Sequence, residues 1–239
     1  MAHEIVVSAI NRFPVKSMAG QQLQAVELGW HGLVGDRRYA FIKTRDRSKF
    51  PYLTARTLFD LLRYEPSYTN SHPYDSPIHI RTPTGSEWPL TSPELIGELE
   101  TRSGAPLYLL QTGQGFFDSM GISIISTATL RALDLLVGRE LDQRRFRINI
   151  IVDAGDTPFV EETWPGATLR LGESADAPAV TLNRGIPRCA MINLDPDSAE
   201  RDASVLKTVV RERENIAGVY GMVVRTGTVR VGDSIVLVR

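Results

Sequence analysis

The first half of the chain alternates short apolar runs with turn-forming residues. Runs of four to eight residues that are rich in β-branched and aromatic side chains and bounded by Gly, Pro, Asn or Asp are typical of strands. Helical spacing is scarce in this half. It occurs in 57–64 and after Ser92-Pro93-Glu94, where an N-cap, a proline and an acid mark a helix start. The predicted strands are 4–10, 23–28, 39–42, 78–81 and 106–110.

The second half has clearer helical periodicity. One predicted helix begins after Ser126 as N-cap, places Leu130, Leu133 and Leu136 or Val137 on one face, and ends at Gly138. A second covers 203–213. Its predicted inward residues are Val205, Leu206, Val209 and Val210.

The end of the chain is strand-rich. Gly227 and Gly232-Asp233 interrupt the run 222–238, which predicts a terminal pair of strands. Strands outnumber helices overall and do not alternate with them regularly. This pattern favours a mainly β or α+β fold, with an antiparallel barrel, over a doubly wound parallel sheet. The pattern breaks at the glycine-rich stretch 111–115, which predicts two domains, 1–115 and 116–239.

Composition narrows the function classes. With 239 residues, 42% hydrophobic and 23% charged, the chain has the make-up of a globular protein. The net charge of -1 provides no general attraction to nucleic acid or to an anionic membrane, so an anion site must be local. The sequence has no apolar run near the ~18 residues of a membrane span and no leader pattern. We therefore expect a cytoplasmic protein with no nucleic-acid or membrane partner.

The chain contains a single cysteine, Cys189. One thiol cannot form an internal disulfide, a zinc cluster or an iron–sulfur cluster. The four histidines, His3, His31, His72 and His79, do not have metal-ligand spacing. The Gly-x-Ser-x-Gly elbow of hydrolases and the GxGxxG motif of dinucleotide-binding proteins are also absent from the sequence.

Alternating side chains in 145–152 predict a strand with two different faces. Phe146, Ile148, Ile150 and Val152 would share one face. Arg145, Arg147 and Asn149 would share the other, where they offer donors to a phosphate, a carboxylate or the edge of a heterocycle. An ordinary half-exposed strand with a solvated face explains the same pattern.

Cys189 lies between a proline turn and a strand-like run, directly after Arg188. Positive charge beside a thiol favours the thiolate, which acts as a nucleophile or as a soft metal ligand. The competing interpretation is that Cys189 is a small buried hydrophobe, the commonest role of a lone cysteine.

Three segments of the first half carry cations at predicted turns or strand edges. Lys16 and Ser17 are at the tip of a proline turn, and Arg37 and Arg56 follow in 35–39 and 54–56. A phosphate or carboxylate could bind such a turn, although it lacks the Gly-Lys-Ser order of a P-loop. A solvated turn is the default interpretation of each segment taken singly.

Taken in order, these segments resemble proteins in which a MOSC (molybdenum cofactor sulfurase C-terminal) domain follows an N-terminal β-barrel domain. The layout is most similar to that of the mitochondrial amidoxime reducing component and its bacterial counterparts. The segments that carry the resemblance are 14–17 (PVKS), 35–37 (GDR), 54–56 (TAR), 145–150 (RFRINI), 187–189 (PRC), 193–197 (NLDPD), 218–221 (GVYG) and 231–233 (VGD).

The resemblance implies a MOSC β-barrel domain packed with a barrel-like N-terminal domain and a bound molybdenum cofactor. It implies that Cys189 is the catalytic residue and the molybdenum ligand. The cofactor-binding residues that it implies are Lys16, Ser17, Arg37, Arg56, Ser126, Thr127, Arg147, Asn149, Arg188 and Tyr220. Ser126 and Thr127 would act at a helix N-terminus, where backbone N–H groups favour anionic oxygens.

The function implied by the resemblance is reduction of small N-hydroxylated or N-oxide compounds, with electrons from a separate flavin or iron–sulfur protein. Some bacterial counterparts add a ferredoxin-like domain, whose iron–sulfur cluster the single cysteine of this chain cannot hold. Two alternatives stay open. MOSC domains also occur beside pyridoxal-phosphate-dependent sulfurase domains, so the protein could carry sulfur or handle the cofactor for such a partner without turnover. It could also be an inactive relative in which Cys189 is merely buried.

Overall fold

The computed structural model describes residues 4–70, 73–74 and 76–239, so His3 and His72 lie outside the described residues. The three α-helices of this part are α1 (Pro93–Ser103), α2 (Thr127–Val137) and α3 (Ser204–Arg213). Its 3₁₀ helices are Phe59–Arg63, Gln143–Phe146, Val160–Thr163 and Ala190–Asn193. Its strands are β1 (Ile5–Arg12), β2 (Gln21–Leu23), β3 (Ala25–Gly29), β4 (Gly32–Leu33), β5 (Tyr39–Lys43), β6 (Glu65–Tyr68), β7 (Ile78–Arg81), β8 (Glu87–Pro89), β9 (Leu107–Gln111), β10 (Ile122–Ser126), β11 (Ile150–Asp153), β12 (Thr168–Leu171), β13 (Ala179–Pro187), β14 (Ile216–Arg225), β15 (Gly227–Arg230) and β16 (Ser234–Val238).

Seven strands close into a barrel in the order β1, β11, β10, β14, β13, β12 and β16, which returns to β1. Neighbours are antiparallel except for the parallel pair β10 and β11. Closure removes free strand edges, and apolar side chains fill the interior. Ile10, Ile124, Ile150, Val180 and Val219 are all fully buried there. The predicted mainly β fold with a barrel is confirmed.

A second apolar core lies outside the barrel. It is formed by the sheet of β5 and β9, the sheet of β6, β7 and β8, and helix α1. Tyr64, Ile80, Leu95 and Leu99 are fully buried in it. Helix α2 packs against β10 and β11, and α3 packs against β14 and α2. Side chains of these elements form a third apolar cluster that includes Leu133.

The strands of residues 5–33 belong to sheets that also contain strands of the second half of the chain. Strand β1 pairs with β11 and β16, and β3 pairs with β15. Val7 and Val26 therefore share the barrel core with residues beyond 120. The boundary predicted between residues 115 and 116 therefore divides strands that share one core. The division into two domains stays a prediction.

The helix predictions that rest on local signals are confirmed. Ser92 and Ser126 cap α1 and α2 through their side chains, and Gly138 ends α2 at a φ of 85°. Helix α3 forms as predicted, but the inward placement of Val210 is wrong because this side chain is 51% exposed. The segment 57–64 forms only the 3₁₀ helix Phe59–Arg63.

Two strand predictions needed correction. The predicted strand 23–28 is divided between β2 and β3, because β2 pairs with β1 whereas β3 pairs with β15 and β4. The terminal strands β15 and β16 do not pair with each other. Strand β15 pairs with β3, and β16 pairs with β12 and β1, because both strands complete sheets that contain N-terminal strands.

Candidate functional site

A cavity of about 580 Å³ lies where loops of the barrel meet the second core. Its walls come from the turn after β1, the loop before β5, the segment before β11, the end of β13, and β14. Nine of the eleven site residues proposed from the sequence line it. They are Lys16, Ser17, Arg37, Arg56, Arg147, Asn149, Arg188, Cys189 and Tyr220.

The cavity wall is strongly cationic. Arg145 and Arg184 join the five predicted cations, so seven guanidinium or ammonium groups line the cavity, whereas Asp118 is the one carboxylate among the lining residues. Clustering of like charge is costly unless a counter-charge is supplied. In a chain with a net charge of -1, this cluster is a local concentration of positive charge that would suit a polyanionic ligand.

Lys16 is a buried ammonium at the tip of the turn after β1. Its Nζ donates to the Asp118 carboxylate at 2.5 Å and to the Phe116 carbonyl at 2.9 Å. Burial lowers the pKa of Lys16, and nearby Arg37 and Arg147 lower it further, while Asp118 opposes the shift. An anionic ligand beside Lys16 would favour the charged ammonium.

Two guanidiniums lie over the same phenyl ring. The guanidinium carbons of Arg37 and Arg147 lie 4.7 and 4.3 Å from the centre of the Phe13 ring. Stacking on an aromatic face holds a guanidinium plane in place. Arg37 also donates to the Arg147 carbonyl at 3.1 Å, and Arg147 donates to the Met18 carbonyl at 2.7 Å. The two cations are therefore fixed in position.

Three of the lining residues have left-handed backbones. The φ angles of Ser17, Arg37 and Arg147 are 65°, 49° and 51°. Non-glycine residues seldom adopt this region, and such conformations concentrate at functional sites.

The predicted strand over 145–152 is wrong in its first half. Gln143–Phe146 is a 3₁₀ helix, Arg147 ends it in the left-handed region, and β11 begins only at Ile150. The left-handed turn breaks the alternation, so Phe146 belongs to a different core cluster from Ile150. Arg145, Arg147 and Asn149 nevertheless all reach the cavity.

Asn149 lines the cavity with an amide that is already engaged. Its Nδ2 donates to the Asn11 carbonyl at 3.2 Å and to the Asp36 carboxylate at 3.0 Å. Its Oδ1 accepts from Ser123 Oγ at 2.9 Å and, at 3.4 Å, from Arg37. Both donor hydrogens are used within the protein. Asn149 therefore positions the wall of the cavity and has no free donor for a ligand.

Two arginines of the wall retain unpaired donors. Nη2 of Arg147, and Nε and Nη1 of Arg145, are buried without a hydrogen-bond partner, although Nη2 of Arg145 donates to Asp195 at 2.6 Å. A buried donor without a partner costs free energy. A ligand with acceptor oxygens beside these atoms would offset that cost.

Cys189 follows the last residues of β13 and precedes the 3₁₀ helix Ala190–Asn193, and it is exposed. The prediction of a presented thiol is confirmed over that of a buried one. Its neighbour Arg188 is buried and donates to the carbonyls of Ala217 and Phe146, both at 2.9 Å. Burial lowers the pKa of Arg188 to about 10. A fixed cation therefore lies next to the exposed thiol.

Tyr220 lies on β14, at the wall of the cavity. Burial raises the pKa of its phenol, which therefore stays protonated at neutral pH. Two residues before it, Gly218 has a φ of 79°, and a Cβ there would lie 2.6 Å from the Ile124 carbonyl oxygen. Glycine in the 218–221 motif thus allows β14 to approach β10 closely.

Ser126 and Thr127 are not among the residues lining the cavity, so the structure does not bring them together with the other predicted site residues, and their role stays a prediction. Glu161 is fully buried at the start of α2, where it accepts from the Ser126 N–H at 3.1 Å and from Thr129 Oγ1 at 3.0 Å. A carboxylate of the protein therefore occupies the anion position at this helix N-terminus.

Several lining residues had no signal in the sequence. Phe50, Phe117 and Asp118 lie in irregular loops, and Arg184 lies on β13, where its guanidinium donates to Ser119 Oγ at 2.9 Å. Asp36, in the 35–37 motif, has a buried carboxylate that accepts from Asn149 Nδ2, a role that nothing in the sequence indicates. Loop residues of this kind reach the cavity only through tertiary folding.

The donor set indicates what kind of metal could bind. Within the described part of the chain, no group of three or more His, Cys, Asp and Glu side chains could hold a metal ion. A metal at Cys189 must therefore bring its other ligands with it, as a pterin dithiolate does. Seven cations and unpaired guanidinium donors suit the phosphate of such a ligand. The residues present thus fit the molybdenum cofactor.

None of the helices in the described residues has the length and apolar character needed to cross a membrane.

A solved structure resembles this protein over nearly the full length of both chains. The crystal structure of the YuaD protein from Bacillus subtilis is similar over 100% of this chain and 98% of that one, with a TM-score of 0.55 and 15% identity. YiiM from Geobacillus stearothermophilus is 17% identical over 50% of this chain and 54% of its own, with a TM-score of 0.36. None of the curated proteins matches the chain.

Two family models match the sequence. The model described as the MOSC N-terminal beta barrel domain matches residues 4–95, and the model described as the MOSC domain matches residues 114–236. The second match alone covers half of the chain. The protein therefore belongs to the MOSC domain family, which is associated with the molybdenum cofactor.

Proposed function

We propose that the protein is an oxidoreductase that holds the molybdenum cofactor in the cationic cavity and reduces small N-hydroxylated or N-oxide compounds. The observation that carries the proposal is the exposed thiol of Cys189 on the wall of a cavity with seven cationic side chains. The cofactor, when bound, supplies the redox centre that removes the substrate's oxygen atom.

The side chains of the wall divide into two roles. Cys189 provides the sulfur ligand, and Lys16, Ser17, Arg37, Arg56 and Arg147 bind the anionic and polar groups of the pterin. Asn149 and Arg188 donate their hydrogen bonds to other groups of the protein, and they hold the cofactor-binding side chains in place. This division refines the roles implied by the resemblance.

The reaction consumes two electrons and two protons. The N–O bond of the substrate breaks, the nitrogen is left reduced, and the oxygen leaves as water. The electrons come from a separate flavin or iron–sulfur protein, since one thiol cannot hold a cluster. The chain's part is to bind, orient and neutralise charge.

Replacement of the thiol tests this function. We expect Cys189→Ser to lose most of the molybdenum and pterin found in the wild-type protein when both are made in a cofactor-producing host, because serine is a harder and more basic ligand than a thiolate. Elemental analysis and pterin fluorescence provide the measurement. Reduction of benzamidoxime with an artificial donor should fall in parallel.

A matched double variant tests whether position matters. Cys189→Ser combined with Ser174→Cys moves the chain's one thiol to another exposed loop, away from the lining residues of the cavity. We expect this protein to behave like Cys189→Ser. Wild-type protein without molybdenum, or a Cys189→Ser variant that reduces benzamidoxime as fast as wild type, would contradict the proposal.

The exposure of Cys189 also supports a second candidate function. An exposed thiol is accessible to a partner protein, so the chain could accept sulfur from a pyridoxal-phosphate-dependent sulfurase and carry it as a persulfide. Mass spectrometry after incubation with such an enzyme and cysteine would show one added sulfur on Cys189. A persulfide without bound molybdenum would favour this function over reduction.

A further inference from the structure

A basic loop follows β5 beside the cavity. We define it as Arg45, Arg47 and Lys49, all exposed, with Lys43 before it and Arg56 after it. The segment 43–56 contains these five cations and one acid. The rest of the chain contains 22 Lys and Arg against 27 Asp and Glu, so the segment has a net positive charge in a chain that is otherwise net negative.

The cations of the basic loop differ from other exposed cations of this chain in their ion pairing. Among the ion pairs of the described residues, none involves Arg45, Arg47 or Lys49, whereas exposed arginines elsewhere, such as Arg81 and Arg144, do pair with carboxylates. Pairing within the surface is thus available to other cations of this chain. The basic loop leaves its charge free for another molecule.

The acid of the segment is engaged by its own loop. Asp46 accepts from the Ser48 N–H at 2.8 Å, and Ser48 Oγ accepts from the Phe50 N–H at 3.2 Å. These bonds turn the Asp46 carboxylate toward the backbone and give the loop a defined shape. The three exposed cations therefore project from an ordered turn.

The basic loop is continuous with the mouth of the cavity. Phe50 directly follows Lys49 and lines the cavity together with Arg56. The Phe50 ring lies 5.2 Å from Lys16 Nζ and 5.1 Å from the guanidinium carbon of Arg56. A molecule that binds the loop would thus lie beside the opening that leads to Cys189.

We propose that the basic loop is the docking surface for a small acidic electron-donor protein, which binds over the mouth of the cavity. This inference rests on the proposed function, because that function requires an external donor. Charge complementarity identifies the chemistry of the partner: an acidic surface around its redox group. The acidic excess elsewhere on this chain would repel the same partner and so orient it toward the loop.

Attraction between the basic loop and an acidic partner should raise their association rate strongly at low salt. Opposite charges raise association rates by factors of about 10 to 1000, and this gain is lost as ionic strength rises. A flavodoxin, a small acidic flavin protein, is a suitable probe. Its association with the cofactor-loaded protein should be much faster at 20 mM than at 300 mM salt.

Charge reversal tests the location. We expect the triple variant R45E/R47E/K49E to slow flavodoxin association at low salt by about tenfold or more, because three attractive charges become repulsive. The matched control R201E/K207E/R230E makes the same charge change at exposed residues that do not line the cavity. The control should slow association by less than about twofold.

The readouts separate this inference from the proposed function. Benzamidoxime reduction with an artificial donor, reduced methyl viologen, should be the same in the wild type and both variants. No activity with that donor would overturn the proposed function, while the binding measurement still tests the loop. Equal slowing by both triple variants, or tighter binding of duplex DNA or anionic vesicles than of flavodoxin, would overturn the docking surface.

Discussion

The carboxylate of Asp36 joins three parts of the site. Its Oδ1 accepts from the Phe13 N–H at 2.6 Å, and its Oδ2 accepts from Asn149 Nδ2 at 3.0 Å and from Arg37. The side chain is 1% exposed. A buried carboxylate is stable only when it is paired and hydrogen-bonded, and here its partners are the residues that form the cavity wall.

Asp36→Asn should therefore destabilise the protein strongly. The amide keeps the shape but removes the charge that pairs with Arg37 and turns one acceptor into a donor that faces other donors. Breaking a buried pair costs about 3–5 kcal/mol. Urea unfolding followed by circular dichroism measures the loss.

The control for Asp36→Asn is Asp156→Asn. Asp156 pairs with Arg131 on the surface and is fully exposed, so its replacement should leave the urea midpoint unchanged. If both variants unfold at the same midpoint as wild type, the carboxylate of Asp36 does not hold the site together.

The sequence predicted the chemistry of single residues better than their geometry. The resemblance of short segments to the MOSC family, and not the pattern around each residue, brought Lys16 and Arg147 into one predicted site, and both line the same cavity. The sequence does not indicate the left-handed backbones of Ser17 and Arg37, because neither residue type favours that region of φ and ψ. The Asn149 amide has no free donor because its Nδ2 donates to Asp36, which is 113 positions away in the sequence.

At the scale of elements, the sequence predicted a helix or strand correctly where the residues that determine its ends lie within the element itself. Helix α2 was predicted to the residue because Ser126 and Gly138 lie at its own ends. The group that closes its N-terminus, Glu161, comes from a distant 3₁₀ helix and could not be inferred. The segment 145–152 failed for the same reason, since tertiary contacts impose the turn at Arg147.

Ser126 should act as a helix cap and not as a cofactor ligand. Its Oγ accepts from the Thr129 N–H at 3.1 Å, so Ser126→Ala should lower the free energy of unfolding by about 1 kcal/mol. The molybdenum content of protein that remains folded should not change. Thermal or urea unfolding and elemental analysis provide the two measurements.

Thr127→Ala provides a matched comparison at the neighbouring residue. Thr127 Oγ1 is buried without a hydrogen-bond partner, so its removal should cost less than that of Ser126 Oγ. A loss of molybdenum in either variant, with stability intact, would return these residues to the cofactor site.

At the scale of the whole molecule, the barrel depends on strands from both ends of the chain. Strand β1 bridges β11 and β16 and so closes the ring. Its register pairs Ile10 with Ile150, a separation that no local pattern encodes. The sequence could therefore indicate a barrel but could not show that the N-terminal residues complete it.

Separate expression of the two predicted domains tests this dependence. Without β1, the fragment 116–239 would leave β11 and β16 as free edges and would expose the core against which Val7 and Ile10 pack. We expect this fragment to aggregate or to lack a cooperative unfolding transition. Co-expression with the fragment 1–115 should restore a soluble complex with one transition, because β1 can then close the barrel. Cooperative unfolding of 116–239 alone, measured by calorimetry, would show that the barrel can form without its N-terminal strand.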